Sequence, residues 1–479
     1  FDSPRAMLYY TRVRKVEGEW FRAEEVRMKR SRALAAILFA AIAVFAASAS
    51  ALAGEISALV RVRLGRGLDQ GALVARGVDI LSMRSGGFAD LAVTDEQLSW
   101  ITSLGVSVEV LDRAALAATM EIDENLGTYY TYAEMEASLD SLAERFPSLT
   151  RIDTLGRSIE GRLIRAIKIS DNAAIDEAEP EALIIGCLHA REIMTVDVTI
   201  RFAAYLLEHY ADPRVASIVD GREVWIAPIV NPDGHVYVEQ NHGGASYTWW
   251  RKNRRLNFDG SYGVDLNRNF GYEWGYDNIG SSSTPSSSVY RGTAPFSEPE
   301  TRAVRDFCAA HDFTVNLSYH SYGELILYPW GYAPIYPDDQ PMFRALGDSL
   351  AAGNGYLPGN SATGAIYITN GGSDDWMYGD VTSKNRVYGF TVELNAYDEG
   401  GFSPPESLIL PTFGKMLELN LRFLEYADNP HRVLGPLAPE MNPIALLDPP
   451  AYEISWAPHQ GDDPNPAISY DLVELLNMR

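Results

Sequence analysis

The stretch that most limits what this chain can fold into is Ala182-Leu183-Ile184-Ile185-Gly186-Cys187-Leu188, a nearly all-apolar run that ends on His189-Ala190-Arg191-Glu192. An apolar run without polar alternation reads as a central strand, buried on both faces by helices. The next segments fit that reading, with a helix expected from Thr195 to Tyr210 and a strand from Glu223 to Val230, alternating in the βαβ manner. A strand that ends in His-x-x-Glu delivers two divalent-metal ligands, His189 and Glu192, to the rim of a sheet. A catalytic zinc takes three protein ligands and keeps one position open. The best donor of the third is His320, at the end of the strand-like run Phe313 to Tyr319. Two imidazoles and one carboxylate suit zinc, whereas magnesium or calcium would take mostly oxygen. By itself a His-x-x-Glu pair is common, and a lone buried histidine is ordinarily structural.

Composition narrows the classes. The 479 residues suffice for two or three domains, and 46% hydrophobic with 22% charged residues is globular. A formal charge of −24 repels phosphates, which excludes nucleic acid as a partner and mildly favours cationic substrates. Two cysteines, Cys187 and Cys308, exclude a disulfide-built scaffold.

The chain divides in sequence. Residues 1–27 read as translated sequence upstream of the true start. Residues 28–53 read as a signal peptide: basic Met28-Lys29-Arg30-Ser31-Arg32, apolar Ala33 to Ala49, then Ala51-Leu52-Ala53. The alternative is a membrane anchor, for which the apolar run is short. Residues 54–122 form a small α+β module with strands at Ile56–Val62 and Val106–Leu111 and a helix capped by Thr94, expected to be a propeptide or a permanent accessory domain. Residues 123–428 carry the main α/β domain, with helices expected at 132–146, 298–310, 341–352 and 405–426. Asn231-Pro232-Asp233-Gly234 reads as a turn, and the Gly/Ser/Asn-rich 278–288 as a surface loop. Residues 429–479 read as a linker and the start of a β-sandwich-like module.

Further motifs lie in order along the chain: Trp250-Arg251-Lys252-Asn253-Arg254, Asp265-Leu266-Asn267-Arg268-Asn269-Phe270, Tyr290-Arg291-Gly292, Phe296-Ser297-Glu298-Pro299-Glu300-Thr301, His320-Ser321-Tyr322, Gly371-Gly372-Ser373-Asp374-Asp375-Trp376 and Phe390-Thr391-Val392-Glu393-Leu394. Over roughly residues 128–427 this series resembles the zinc carboxypeptidases of the pancreatic carboxypeptidase A/B type, and within them the secreted bacterial members. The resemblance implies a mixed, eight-stranded twisted sheet flanked by helices, one zinc per chain on His189, Glu192 and His320, and removal of single C-terminal residues from peptides or proteins.

Roles for further residues come with it. Glu393, at the end of the apolar run Val387 to Val392, would be costly to bury without purpose and matches the family's catalytic base. Arg251 matches the group that stabilises the developing oxyanion. Asn267 and Arg268 match the pair that grips the substrate's terminal carboxylate, bidentate at the guanidinium, and Arg191 adds a positive contact on the approach path. Tyr367 matches a mobile capping tyrosine; Tyr322 and Phe402 match subsite residues. Asp374 falls where members that remove Lys or Arg carry aspartate, while Gly331 and Ala362 leave a roomy pocket that admits mixed specificity. An activating protease and the absence of a stable membrane anchor complete the expectation. Rival readings are a cell-wall peptide hydrolase or deacylase of the same fold, for which Asn267 and Arg268 have no use, and an inactive peptide-binding or adhesion module, for which Glu393 has none.

Overall fold

The structure, a computed structural model, describes residues 56–65, 67–84, 87–111, 126–241, 250–402 and 404–435, and the backbone of four short strands at 440–441, 445–447, 451–453 and 456–457. The upstream segment, the signal-peptide reading, most of the acidic stretch 120–127 and the strand expected at 469–476 lie outside the described residues.

Twelve of the described strands make two sheets. The larger has eight, in the order β11-β10-β12-β9-β7-β8-β6-β5. These are β5 (Thr150–Arg157), β6 (Leu163–Ile169), β7 (Glu181–Ile185), β8 (Glu223–Ala227), β9 (Phe313–Ser321), β10 (Leu325–Leu327), β11 (Leu357–Gly359) and β12 (Tyr388–Leu394). Its centre, β12-β9-β7-β8, is parallel, while β6 runs antiparallel to both its neighbours, β5 and β8, and β10 antiparallel to β12. The sheet is therefore mixed and eight-stranded, as expected.

Strand β7 shows why its sequence lacks alternation. Ala182 and Ile184 pack into a core with the helices Tyr132–Arg145, Met194–Glu208 and Ile409–Glu425. Leu183 and Ile185, pointing to the other face, join Val304, Phe307 and Cys308 of the helix Pro299–Ala309 and Trp376 of the helix Ser373–Gly379. Successive side chains go to opposite faces, and both faces are covered, so each position must be apolar. Cys187 is fully buried, and burial pushes its thiol well up, which makes it inert packing.

Two expectations change. Asn231-Pro232-Asp233-Gly234 does not turn the chain; Asn231 caps the helix Pro232–Gln240 by accepting from the Gly234 N–H, with proline in the first turn where its missing donor costs nothing. The 278–288 loop is only partly at the surface: Asn278, Ile279, Ser283, Thr284 and Ser286 are exposed as expected, while Ser281 and Ser287 are buried and the Gly280 carbonyl accepts from Arg268 Nε at 2.9 Å. At the buried positions its small residues permit close packing.

The smaller sheet holds β1 (Ala58–Arg63), β2 (Asp79–Arg84), β3 (Phe88–Val93) and β4 (Val108–Val110), antiparallel in the order β2-β3-β1-β4. One face packs on the helices Gln70–Ala75 and Asp95–Ser103, the latter closed by a Thr94/Gln97 capping box. The other face, with Leu59, Leu81 and Ala92, packs against Tyr322 and Phe402 of the main domain. After residue 435, Glu440–Met441 pairs with Trp456–Ala457 and Ala445–Leu447 with Ala451–Glu453, both antiparallel. Among the described residues no helix is long and apolar enough to cross a membrane.

Candidate active site

Strand order locates the site. From β7 the chain crosses to β8 on one side; the next central strand, β9, returns to the other side of β7. In such sheets the loops leaving the carboxyl ends of the two strands diverge and leave a crevice between them. His189 lies just beyond the end of β7, and His320 at the end of β9.

The two histidines and Glu192 meet there, all three buried. His189 Nδ1 lies 2.8 Å from Glu192 Oε1, His320 Nδ1 2.9 Å from Glu192 Oε2, and the two Nδ1 atoms 3.0 Å from each other. One donor atom from each residue lies within 4.8 Å of the others. The outer nitrogen of His189, Nε2, is 3.1 Å from Asp265 Oδ1. A carboxylate there accepts a proton-bearing nitrogen, which leaves Nδ1 as a lone pair facing inward. Two imidazole nitrogens turned on one carboxylate, with one of them oriented by a second carboxylate, form the donor set that zinc takes. Burial alone would raise the Glu192 carboxyl, but His189 and His320 outweigh it and hold the group well below the usual carboxylate range.

Asp265 has a second partner, Arg251 Nε at 3.0 Å, so one buried carboxylate orients both an imidazole and a guanidinium. Burial opposes its charge, yet Arg251, Arg268 and His189 keep it far below its ordinary value. Arg251 Nη1 reaches within 3.9 Å of Glu192. The sequence motif contained Asp265, but a linear run does not say which imidazole it faces.

A cavity of about 590 Å³ opens on this cluster, lined by His189, Glu192, Arg251, Asn267, Arg268, Tyr322, Tyr367, Asp374, Glu393 and Phe402. Glu393 stands on β12 opposite His320 on β9. Burial, with the charge of Glu192 added, raises its carboxyl well above the usual range, so a proton is held there more readily than on an ordinary carboxylate. Arg268 Nη1 donates to the Asn267 carbonyl at 2.7 Å, and Asn267 Oδ1 accepts from Ser373 N–H at 2.8 Å. Both side chains are thereby fixed at the cavity wall. Asp374, in the first turn of its helix, accepts from Asp375 N–H at 3.0 Å, and burial raises its carboxyl. Its neighbour Asp375 turns away to accept the backbone N–H groups of Gly331 and Tyr332 at 2.8 and 2.9 Å. Of the two small residues noted in the sequence, Gly331 lines the cavity and Ala362 does not.

Every sequence-derived site residue is drawn to this cleft or its edge. Arg191 lies at the edge, its guanidinium 4.1 Å from the Phe402 ring centroid. The small sheet reaches this edge through a pair that the sequence did not name: Asp79 with Arg191, Oδ2 to Nη1 at 2.5 Å. Leu81, Ser82 and Met83 of β2 line the same cavity as the metal cluster.

Comparison with known proteins gives a consistent result. The zinc carboxypeptidase family profile matches residues 135–418. A zinc carboxypeptidase of Saccharothrix mutabilis subsp. capreolus is 31% identical over 391 residues, 76% of this chain and 87% of that protein. Carboxypeptidase B of Astacus astacus is 35% identical over 297 residues, 60% of this chain and 92% of that protein. The crystal structure of the carboxypeptidase A from Helicoverpa armigera superposes with a TM-score of 0.65 at 26% identity, covering 78% of this chain and 97% of that one.

Proposed function

The chain belongs to the zinc carboxypeptidase family and is a zinc metallocarboxypeptidase, and from that premise we propose that it is exported and removes single C-terminal residues from peptides, with a preference for Lys and Arg. The observation that carries this reading is the presence, at one cavity, of the His189/Glu192/His320 cluster, the carboxylate of Glu393 opposite His320, and the fixed pair Asn267 and Arg268.

His189, Glu192 and His320 would hold the zinc, which would supply Lewis acidity for attack of water on the scissile carbonyl. Glu393 takes the proton that the water gives up and returns it to the departing amine. Arg251, held by Asp265, faces the oxygen on which negative charge develops; a guanidinium already in place needs no reorganisation as the charge appears. Asn267 and Arg268 hold the free α-carboxylate, which demands a chain end in the pocket. Tyr367 closes over the bound residue.

Asp374 supports the basic preference. A half-buried carboxylate at the cavity wall that accepts from the Asp375 N–H, and whose charge its surroundings disfavour, is best satisfied by an ammonium or guanidinium. Mixed specificity is the second reading, favoured by Leu327 and Ile366 in the same cavity wall. The small module supports a latent form opened by an activating protease, because β2 lies where a peptide must enter.

The test is release of C-terminal Arg and Phe from a matched peptide pair by the proteolysed chain, with and without chelator. Chelator-sensitive release of Arg far above Phe is expected. Equal release would discard the basic preference, and release that ignores the chelator would discard the zinc mechanism.

A further inference from the structure

We propose that Lys415, on the helix Ile409–Glu425, is a positioning residue for the bound peptide: it fastens together the two loops that form the entry wall of the cleft, 322–324 and 395–402. The proposal rests on the reading above, in which the chain end lies against Asn267, Arg268 and Asp374 and the rest of the peptide leads out past the metal cluster.

Tyr322 stands on the first loop and Phe402 at the end of the second, edge to face with their ring centroids 4.8 Å apart. Leu81 of β2, which lies where a peptide must enter, packs against both. These rings therefore face the residues that precede the scissile bond, not the last residue. The loops also meet through their backbone. A Cβ on Gly401 would lie 3.2 Å from the Tyr322 ring, and Gly401 has a φ of +61°. A contact that close lasts only while each loop keeps its place.

Lys415 supplies the tie. Its ammonium donates to Glu324 Oε1 at 3.2 Å and to Glu399 Oε1 at 3.0 Å, one carboxylate from each loop. Burial opposes its charge, but Glu399 and Glu324 outweigh it and raise the ammonium above its ordinary range. The other oxygen of Glu399 accepts from Asn395 Nδ2 at 3.0 Å, which also reaches Thr412 Oγ1 of the Lys415 helix at 2.9 Å. The Asn395 carbonyl in turn accepts from the Gly323 N–H at 2.8 Å. Glu324 and Asn395, one in each loop, are held in the left-handed region, at φ +53° and +52°. A non-glycine residue stays there only where its surroundings fix it. Every one of these partners belongs to the main domain, so the tie does not depend on the small module. Ion pairs about a third exposed add little to overall stability. One cation shared by two loops acts on their position instead.

The test compares wild type, Lys415→Met and Lys415→Arg, each as the full chain treated by limited proteolysis, on N-blocked peptides ending in Phe-Arg and in Gly-Arg. A phenylalanine before the last residue uses the wall, and a glycine does not. Lys415→Met is expected to lower the ratio of kcat/KM for Phe-Arg over Gly-Arg on the order of tenfold, with the loss falling on KM. Lys415→Arg keeps both ion pairs and is expected to keep the ratio. A ratio unchanged in Lys415→Met, or lowered as far in Lys415→Arg, would overturn the proposal. A second measurement needs no turnover. Amide hydrogen exchange in the same proteolysed chains is expected to quicken in 322–324 and 395–402 on Lys415→Met and to stay unchanged in the helix Met194–Glu208. If wild type releases arginine from neither peptide, the carboxypeptidase reading fails, and exchange alone decides whether Lys415 fastens the loops. Unchanged exchange in both loops would overturn it.

Discussion

Glu393 on β12 is the register partner of His320 on β9, so one parallel ladder places its carboxylate beside the metal cluster. Neighbouring strands in a sheet are about 4.8 Å apart, a spacing that lets a side chain act on a water held at the adjacent ligand without joining the ligand set. Replacing Glu393 by Gln keeps the shape and removes the proton acceptor. A loss of about 10²–10⁴ in kcat is expected, with KM little changed and zinc still bound at one per chain by elemental analysis.

The ligand cluster also bears on stability. His189, Glu192 and His320 are buried within hydrogen-bond distance of one another, and a bound cation relieves the charge on Glu192. Because metal binds the native chain far better than the unfolded one, chelation is expected to lower Tm as well as abolish activity. One equivalent of zinc should restore both. An unchanged Tm after verified metal removal would contradict a structural share for the site.

Asp374→Ala should separate the two specificity readings. Truncating one partner of a desolvated charge pair costs about 2–5 kcal/mol, on the order of 30- to 4000-fold in kcat/KM for Arg-ending peptides. Phe-ending peptides should change by less than about threefold, since an apolar side chain gains nothing from the carboxylate. Parallel losses on both would place Asp374 in the structure of the pocket rather than in its selectivity.

Gln70 ties the small module to the loop that carries Tyr367. Its amide donates to the Ile368 carbonyl at 2.6 Å and the Ile279 carbonyl at 3.0 Å, and accepts from the Ile368 N–H at 3.0 Å. Tyr367 itself packs against the module core. Each such bond contributes about 0.5–1.5 kcal/mol. Gln70→Ala is therefore expected to raise the peptidase activity of the uncleaved chain severalfold while leaving that of the proteolysed chain unchanged. No change in the uncleaved chain would assign these bonds to folding alone.

Asp197 offers a pH signature away from the chemistry. It is fully buried on the helix Met194–Glu208, and burial pushes its carboxyl up to about 7, although Arg201 and the Tyr130 N–H oppose the rise. A raised carboxyl means the native state binds the proton more tightly than the unfolded chain. Its contribution is therefore fully present below about pH 4 and is lost as pH rises towards 7, by about 3–4 kcal/mol. Asp197→Asn should raise Tm at pH 8 and make little difference near pH 4. The opposite ordering would show that its pairing with Arg201 outweighs burial.

Much of this was legible in the residues. The apolar run at 182–188 announced a two-sided central strand, because a position covered on both faces tolerates nothing polar, and β7 is that strand. His189, Glu192 and His320 could be named because metal ligation restricts residue types and because two of them are close in sequence. What the sequence could not order was contact between segments far apart in the chain. Asp265 joins His189 to Arg251 across 76 and 14 residues; Arg191 meets Asp79 across 112. The turn read at Asn231 became a helix cap, since the same side-chain acceptor serves either role and only the helix after it decides between them. Part of the 278–288 loop, around Gly280 and Ser281, went inside because a side chain without bulk carries no instruction about burial until a partner, here Arg268, comes to lie against it. Residue chemistry and spacing thus determined the kind of sheet and the metal-binding set. Which carboxylate orients which cation was left to the packing of distant strands, where distance in space and not in sequence sets the energy.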